Sequence, residues 1–255
     1  MELFDTHCHL NHLDFDHDRE EARQRACEAG VTRLLCIGFD LASSRSAIEF
    51  SAWKEMRAAI GIHPESAGEW SLETASILRQ LYDTGKAAAY GEIGLDYHWD
   101  SVPRVRQSEV FLEQIAFAST LSPTLPLIIH TRDALADTLA VLEASATKAP
   151  IVMHCFTGDV KDAAACLDAG CYLGIGGVAT FKKSENLRAA ITYAPLNRLL
   201  LETDCPYLAP QYKRGRRNEP SYLPAIVEIV AVSKGLSVQE IAEATTETAR
   251  GLFGF

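Results

Sequence analysis

The chain contains no CxxC pair, no apolar run near the roughly 18 residues of a membrane helix, and no glycine-rich phosphate loop after its first apolar segment. Each absence removes a class. Seven cysteines at scattered spacings argue against a disulfide framework and fit a reducing compartment. The missing apolar run speaks against a membrane span. Without the phosphate loop, an open doubly wound sheet loses its usual signature. Positive charge is also scarce: 24 Lys and Arg against 34 Asp and Glu leave a formal net charge of −10, which speaks against broad nonspecific nucleic-acid binding. The opening MELFDTHCHL has no basic start followed by an apolar run. The expectation is a soluble, cytoplasmic chain with no membrane and no obligatory protein partner. No internal repeat, low-complexity tract or linker interrupts the 255 residues, so one domain spanning 1–255 is expected.

What is present is alternation. Short apolar, β-branched runs near 2–6, 33–38, 58–62, 87–93, 125–130, 150–155, 171–175 and 198–203 read as strands, several buried on both faces. Helical patterns lie between them. EEARQRACEA stops at Gly30, SLETASILRQLYDTG ends at Gly85, VFLEQIAFASTL follows the helical period, DVKDAAACLDAG ends at Gly170, and SVQE opens a last helix as a capping box. Eight strands alternating with helices over this length predict an α/β fold, a single-domain (β/α)8 TIM barrel.

In such a barrel the chemistry sits where strands end. The first predicted strand ends at DTHCH, the third at His63, the fourth at Glu92, the fifth at His130, the sixth at His154 and the eighth at Glu202-Thr203-Asp204. Five of the eight histidines therefore fall at the same end. Strand alternation puts His7 and His9 on one face and turns Cys8 away; Cys155 and Cys205 are expected to turn away likewise, as small hydrophobes. Imidazoles and carboxylates together suit zinc, manganese or another divalent ion, with magnesium open where carboxylate and water dominate. Six candidate ligands, His7, His9, Glu92, His130, His154 and Asp204, exceed what one open catalytic ion takes, so two ions are expected. Glu92 is the natural bridge, and Asp204 the acceptor of the attacking water's proton. His63 is a candidate to orient substrate or protonate a leaving group. KRGRRN at 213–218 stands against the acidic background, and Lys213, Arg214, Arg216 and Arg217, with Arg132, are candidate phosphate contacts. Tyr97 and Trp99 are candidate base-stacking residues.

The motifs DTHCHL, GIHP, GEIGLDY, HTRDA, HCFTG, LLETDCP and RGRRNEPSY, in this order, resemble the TatD-like metal-dependent hydrolases, often described as deoxyribonucleases, within the amidohydrolase-type barrels. The resemblance covers essentially the whole chain. It implies a two-metal centre, with His7, His9, Glu92 and Asp204 on one ion and Glu92, His130 and His154 on the other. It further implies a two-metal-dependent phosphodiester hydrolase acting on single-stranded DNA or RNA, as a 3′–5′ exonuclease. The alternative is hydrolysis of a carboxylic ester or amide, such as an aminoacyl-tRNA. Many barrels of that kind bridge two metals with a carboxylated lysine on the fourth strand; here Lys86 lies at the wrong end of that strand. A binding scaffold with inert metal is the third reading, and no ligand or base is missing to favour it.

Overall fold

The computed structural model describes residues 1–99 and 101–255. In chain order the elements are β1 (Leu3–Cys8), α1 (Arg19–Glu28), β2 (Val31–Ile37), α2 (Leu41–Phe50), β3 (Met56–Ile60), α3 (Leu72–Tyr82), β4 (Ala87–Asp96) and α4 (Arg104–Leu121). They continue with β5 (Leu127–Arg132), α5 (Leu135–Ser145), β6 (Ile151–Met153), α6 (Val160–Asp168), β7 (Tyr172–Ile175), α7 (Glu185–Tyr193), β8 (Leu199–Leu201), α8 (Leu223–Lys234) and α9 (Val238–Phe253). The eight strands form one sheet whose order is the order of the sequence. Parallel neighbours joined by helices are the (β/α)8 barrel fold, as expected.

The described chain divides into two compact units, Met1–Cys36 with Cys155–Phe255, and Ile37–His154. In the first, the end of β8 returns to β1. Thr6 Oγ1 donates to the Leu201 carbonyl at 3.1 Å, and the loop after β8 exchanges backbone bonds with β1, Asp204 N–H to His7 O at 2.9 Å and His9 N–H to Cys205 O at 2.8 Å. β1 itself is irregular. Its pairing with β2 advances three residues, Asp5 to Cys8, against two, Leu34 to Cys36. A bulge of this kind re-aims side chains, and it falls on His7.

In the second unit α4 braces the strand ends. Its two buried glutamines, seven residues apart, share one helical face. Gln114 accepts from Ile62 N–H at 3.0 Å and donates to Ile62 O at 2.8 Å; Gln107 does the same for Asp96, at 2.8 and 2.9 Å. Backbone groups that leave the sheet just before His63 and at Asp96 are thus satisfied without water. This helix starts at Arg104, well before the expected Val110, because its first turns bury a glutamine and apolar periodicity does not register it.

Helix signals were otherwise direct. Gly30 and Gly170 adopt φ of 89° and 82° just past α1 and α6, and Ser237 and Glu240 form the capping box of α9. Strands β6 and β8 are shorter than expected, three residues each. Left-handed backbone at Cys155 (φ 46°) and Asp204 (φ 55°) breaks the extended pattern, so His154 and Asp204 stand on the turns rather than on the strands.

Candidate metal centre

The loop end of β1 and the turn after β8 bring three donors together. His7 Nε2 and His9 Nε2 are 3.2 Å apart, and they lie 3.7 and 3.5 Å from Asp204 Oδ1. All three side chains are buried. Beneath them Asp5 holds the two segments in register, accepting from Thr203 N–H at 2.9 Å, Thr203 Oγ1 at 2.6 Å and His7 N–H at 3.3 Å. Complete burial pushes the Asp5 carboxyl up to about 7 despite those three donors. Glu202 turns the other way and accepts from Cys155 N–H at 2.5 Å. A Cβ on Gly174 would sit 2.2 Å from Glu202 Oε2, so the glycine leaves room for the carboxylate in this position.

The second unit gathers its own set. Glu92 Oε1 lies 2.8 Å from both His130 Nδ1 and His154 Nε2, and those nitrogens are 3.1 Å from each other. His63 Nε2 lies 3.6 Å from the same oxygen. The far nitrogen of His130, Nε2, meets Asp96 Oδ2 at 2.9 Å, which commits Nδ1 to the set. Glu92 and Asp96 are four residues apart on one strand and therefore share a face. The GEIG glycines let β4 come this close to β5: a Cβ on Gly94, at φ 145°, would lie 2.0 Å from the His130 carbonyl oxygen.

The electrostatics of this set favour positive charge. Burial alone would depress the His130 imidazole, yet its pKa is raised, because Asp96 and Glu92 flank it. The same contact holds Asp96 down at about 2 against the opposing effect of burial. His63 has no such embrace. Burial, followed by the neighbouring His130, pushes it down to about 3, and its Nδ1 accepts from Glu65 N–H at 3.2 Å. His63 is therefore a neutral imidazole carrying its proton on Nε2.

Both sets fit a divalent cation. Donors about 2.0–2.1 Å from an octahedral or tetrahedral ion lie about 2.9–3.4 Å from one another. The separations of 2.8–3.1 Å around Glu92 and 3.2–3.7 Å around Asp204 bracket that range. The donor atoms of His7, His9 and Asp204 lie within 4.8 Å of one another, as do those of His63, Glu92 and His130, although His63, protonated on Nε2 with Nδ1 turned to Glu65, adds no ligand. Cys8 and Cys205 are buried and Cys155 half-buried, and among the described residues no candidate metal group includes a cysteine.

The basic stretch is split in its duties. Arg217 is drawn inward, its guanidinium meeting Asp18 at 2.6 and 2.7 Å and lying over the Phe15 ring. Arg25 joins the same network through Asp18 and Glu219, at 2.9 and 2.7 Å. Lys213 and Arg214 lie over Tyr212 and Phe181, while Arg214 and Arg216 face solvent. In the second unit Arg132 is exposed over Trp99, itself 52% exposed, and Tyr97 is tied down through its hydroxyl to Asp137 at 2.8 Å. Sequence reasoning gives no role to Asp5, Glu202 or Tyr207 and offers for Asp96 only the ordering of the loop after β4, which its Oδ1 does by accepting from His98 and Trp99 N–H; the shared face of Glu92 and Asp96 was the available signal for its contact with His130.

Residues 4–254 match the family described as TatD related DNase. The chain is 43% identical over 253 residues to YabD of Bacillus subtilis (strain 168), named an uncharacterized metal-dependent hydrolase, covering 98% of each. It is 38% identical over 260 residues to a protein of Pantoea ananatis (strain LMG 20103) named 3′-5′ ssDNA/RNA exonuclease TatD, covering 99% of each. Among solved structures, YJJV, a TatD homolog from Escherichia coli K12, superposes with a TM-score of 0.92 at 28% identity, covering 99% of this chain and 98% of the other.

Proposed function

The chain belongs to the TatD-related DNase family and is a metal-dependent hydrolase, and from that premise we propose that it cleaves phosphodiester bonds of single-stranded DNA or RNA from the 3′ end. The observation that carries the reading is the convergence of His130 and His154 on one Glu92 oxygen, both at 2.8 Å, in a chain similar over nearly its whole length to a named exonuclease. In this reading residues 1–255 act as one catalytic domain holding two ions, His7, His9 and Asp204 serving one and Glu92, His130 and His154 the other. Zinc, manganese and magnesium all suit the mixed nitrogen and oxygen donors. Seven free thiols support cytoplasmic residence.

Divalent ions bound there supply Lewis-acid polarisation of a phosphoryl oxygen and lower the pKa of an attacking water to about 7. The chain's own residues do the rest. Asp204 accepts the water's proton at its carboxylate. Asp96 holds His130 in the tautomer that turns Nδ1 toward Glu92. His63, neutral and protonated at Nε2, orients substrate as a hydrogen-bond donor. Lys213, Arg214, Arg216 and Arg132 meet backbone phosphates, which offsets the acidic protein's repulsion of a polyanion. Arg217 is left to Asp18.

The test is a substrate panel. Metal-reconstituted protein is offered 3′-tailed single-stranded DNA, a p-nitrophenyl phosphodiester and a carboxylic ester, with end-labelled products resolved for polarity. Shortening from the 3′ end supports the reading. Turnover of the ester alone overturns it.

A further inference from the structure

Resting on the nucleic-acid reading above, we infer that the segment following β8, residues 205–217, is a track for the tail of a single-stranded substrate, with Tyr207 and Tyr212 as its base-stacking faces. Two of the chain's exposed aromatic rings lie on this one segment, Tyr207 at 48% and Tyr212 at 61% exposure. Tyr207 stands at the mouth of the first donor set. Its ring lies edge-on to His9, 5.9 Å between centroids, and to His12, 5.7 Å. Its backbone is pinned at both ends, N–H to Asp204 O at 2.9 Å and carbonyl to Asn218 Nδ2 at 2.7 Å. A half-exposed ring on a fixed backbone loses little entropy when a base stacks on it.

Five residues on, Tyr212 walls a groove of about 390 Å³ with Gln211, Ala225, Glu228, Ile229 and Val232. Val232 is 77% exposed on α8, so this apolar surface has no cover from the described chain. Its occupant is set by charge. Lys213, Arg214 and Arg216 lie on the same loop, Lys213 Nζ within 5.5 Å of the Tyr212 ring, in a protein of net charge −10. Glu228, which also lines the groove, repels phosphate, which sends the backbone toward the cationic loop and leaves the base to the groove. An apolar slot with Lys213 beside its tyrosine, on the loop that continues from Asp204, suits a flexible strand of nucleotides better than a protein helix.

The expected signature is length dependence. KM and Kd are measured for a dinucleotide and a ten-nucleotide DNA strand, with Tyr207→Ala, Tyr212→Ala and Tyr212→Phe beside the unaltered enzyme. Tyr207→Ala raises KM for both lengths. Tyr212→Ala raises KM for the long strand by about tenfold and so shrinks its advantage over the dinucleotide, as loss of one stacked base implies. Tyr212→Phe keeps the ring and retains that advantage. An advantage unchanged in Tyr212→Ala overturns the track while leaving the nuclease reading intact. Failure of the unaltered enzyme to bind or cut either strand overturns both.

Discussion

The two donor sets differ in how closely their imidazoles approach the carboxylate. Around Glu92, one carboxylate oxygen meets two imidazoles at 2.8 Å, and Asp96 grips the far side of His130. Around Asp204, Oδ1 lies 3.5 Å from His9 Nε2 and 3.7 Å from His7 Nε2, and the residue sits in the left-handed region at φ 55°. The Glu92 set is clasped at both nitrogens of His130, while the Asp204 set is spaced more widely about its carboxylate. A clasped carboxylate suits permanent ligation. Asp204, on the turn after β8, is the proposed general base.

Removing the clasp is expected to have the largest effect. Glu92→Ala eliminates the oxygen on which both imidazoles converge, and turnover is expected to fall further than in any other single variant here, with at least one ion lost by elemental analysis. Loss of both ions would identify Glu92 as shared between them, as the family resemblance implies; loss of one confines it to the second set. Asp204→Asn separates base from ligand. It is expected to lower kcat by about 10²- to 10⁴-fold while His130 and His154 still retain their ion. Turnover close to that of the unaltered enzyme would remove Asp204 as the base.

Asp96→Asn tests whether the clasp is made in advance. The amide has one acceptor oxygen and cannot serve both His130 Nε2–H and the His98 and Trp99 N–H groups, so metal affinity is expected to weaken by about 10- to 100-fold, read by titrating metal-free protein with zinc or manganese. Unchanged affinity would show that Glu92 suffices to orient His130. A smaller effect is expected further from both sets. Replacing Lys213, Arg214 and Arg216 together with alanine should reduce the slope of log affinity against log salt by about 2 for single-stranded DNA. A constant slope would return those cations to an ordinary solvated loop.

The smallest expected effect concerns what anchors the segment beyond Asp204. The Arg217 hydrogen bonds, followed by those of Arg25, hold the Asp18 carboxylate well below the usual range. A depressed carboxylate stabilises the fold above its unfolded pKa of about 3.9, and that contribution fades as pH falls below it. Asp18→Asn is therefore expected to lower Tm by a few degrees near pH 7, and the gap from the unaltered protein should narrow on acidification. A gap that stays constant with pH would mean that the pairing adds nothing beyond packing.

Much of the centre was legible because barrel geometry converts chain position into space. A histidine at the loop end of a parallel strand lands at the rim whatever the helices do, and His7 and His130 follow that rule; Glu92 sits four residues before the end of β4, which runs on to Asp96. His154 and Asp204 arrive by a different route, since their strands stop early at left-handed turns, which no apolar pattern announces. The start of α4 escaped notice for a related reason: Gln107 is buried for its hydrogen bonds, and a polar core residue interrupts the period that identifies a helix. Arg217 looks in sequence like its neighbours Arg214 and Arg216. Its commitment to Asp18, 199 residues away, is invisible locally.

Order, spacing and residue chemistry alone were enough for the alternating fold, for donors gathered at strand ends, and for the family. Folding settled which nitrogen His130 turns to Glu92, which carboxylate holds its far side, and which cation pairs with Asp18. These depend on contacts such as His130 with Asp96, 34 residues apart, and Asp5 with Thr203, 198 apart. Local periodicity records which way a side chain points from its own strand. The partner it meets is decided by strands and turns brought alongside from elsewhere in the chain.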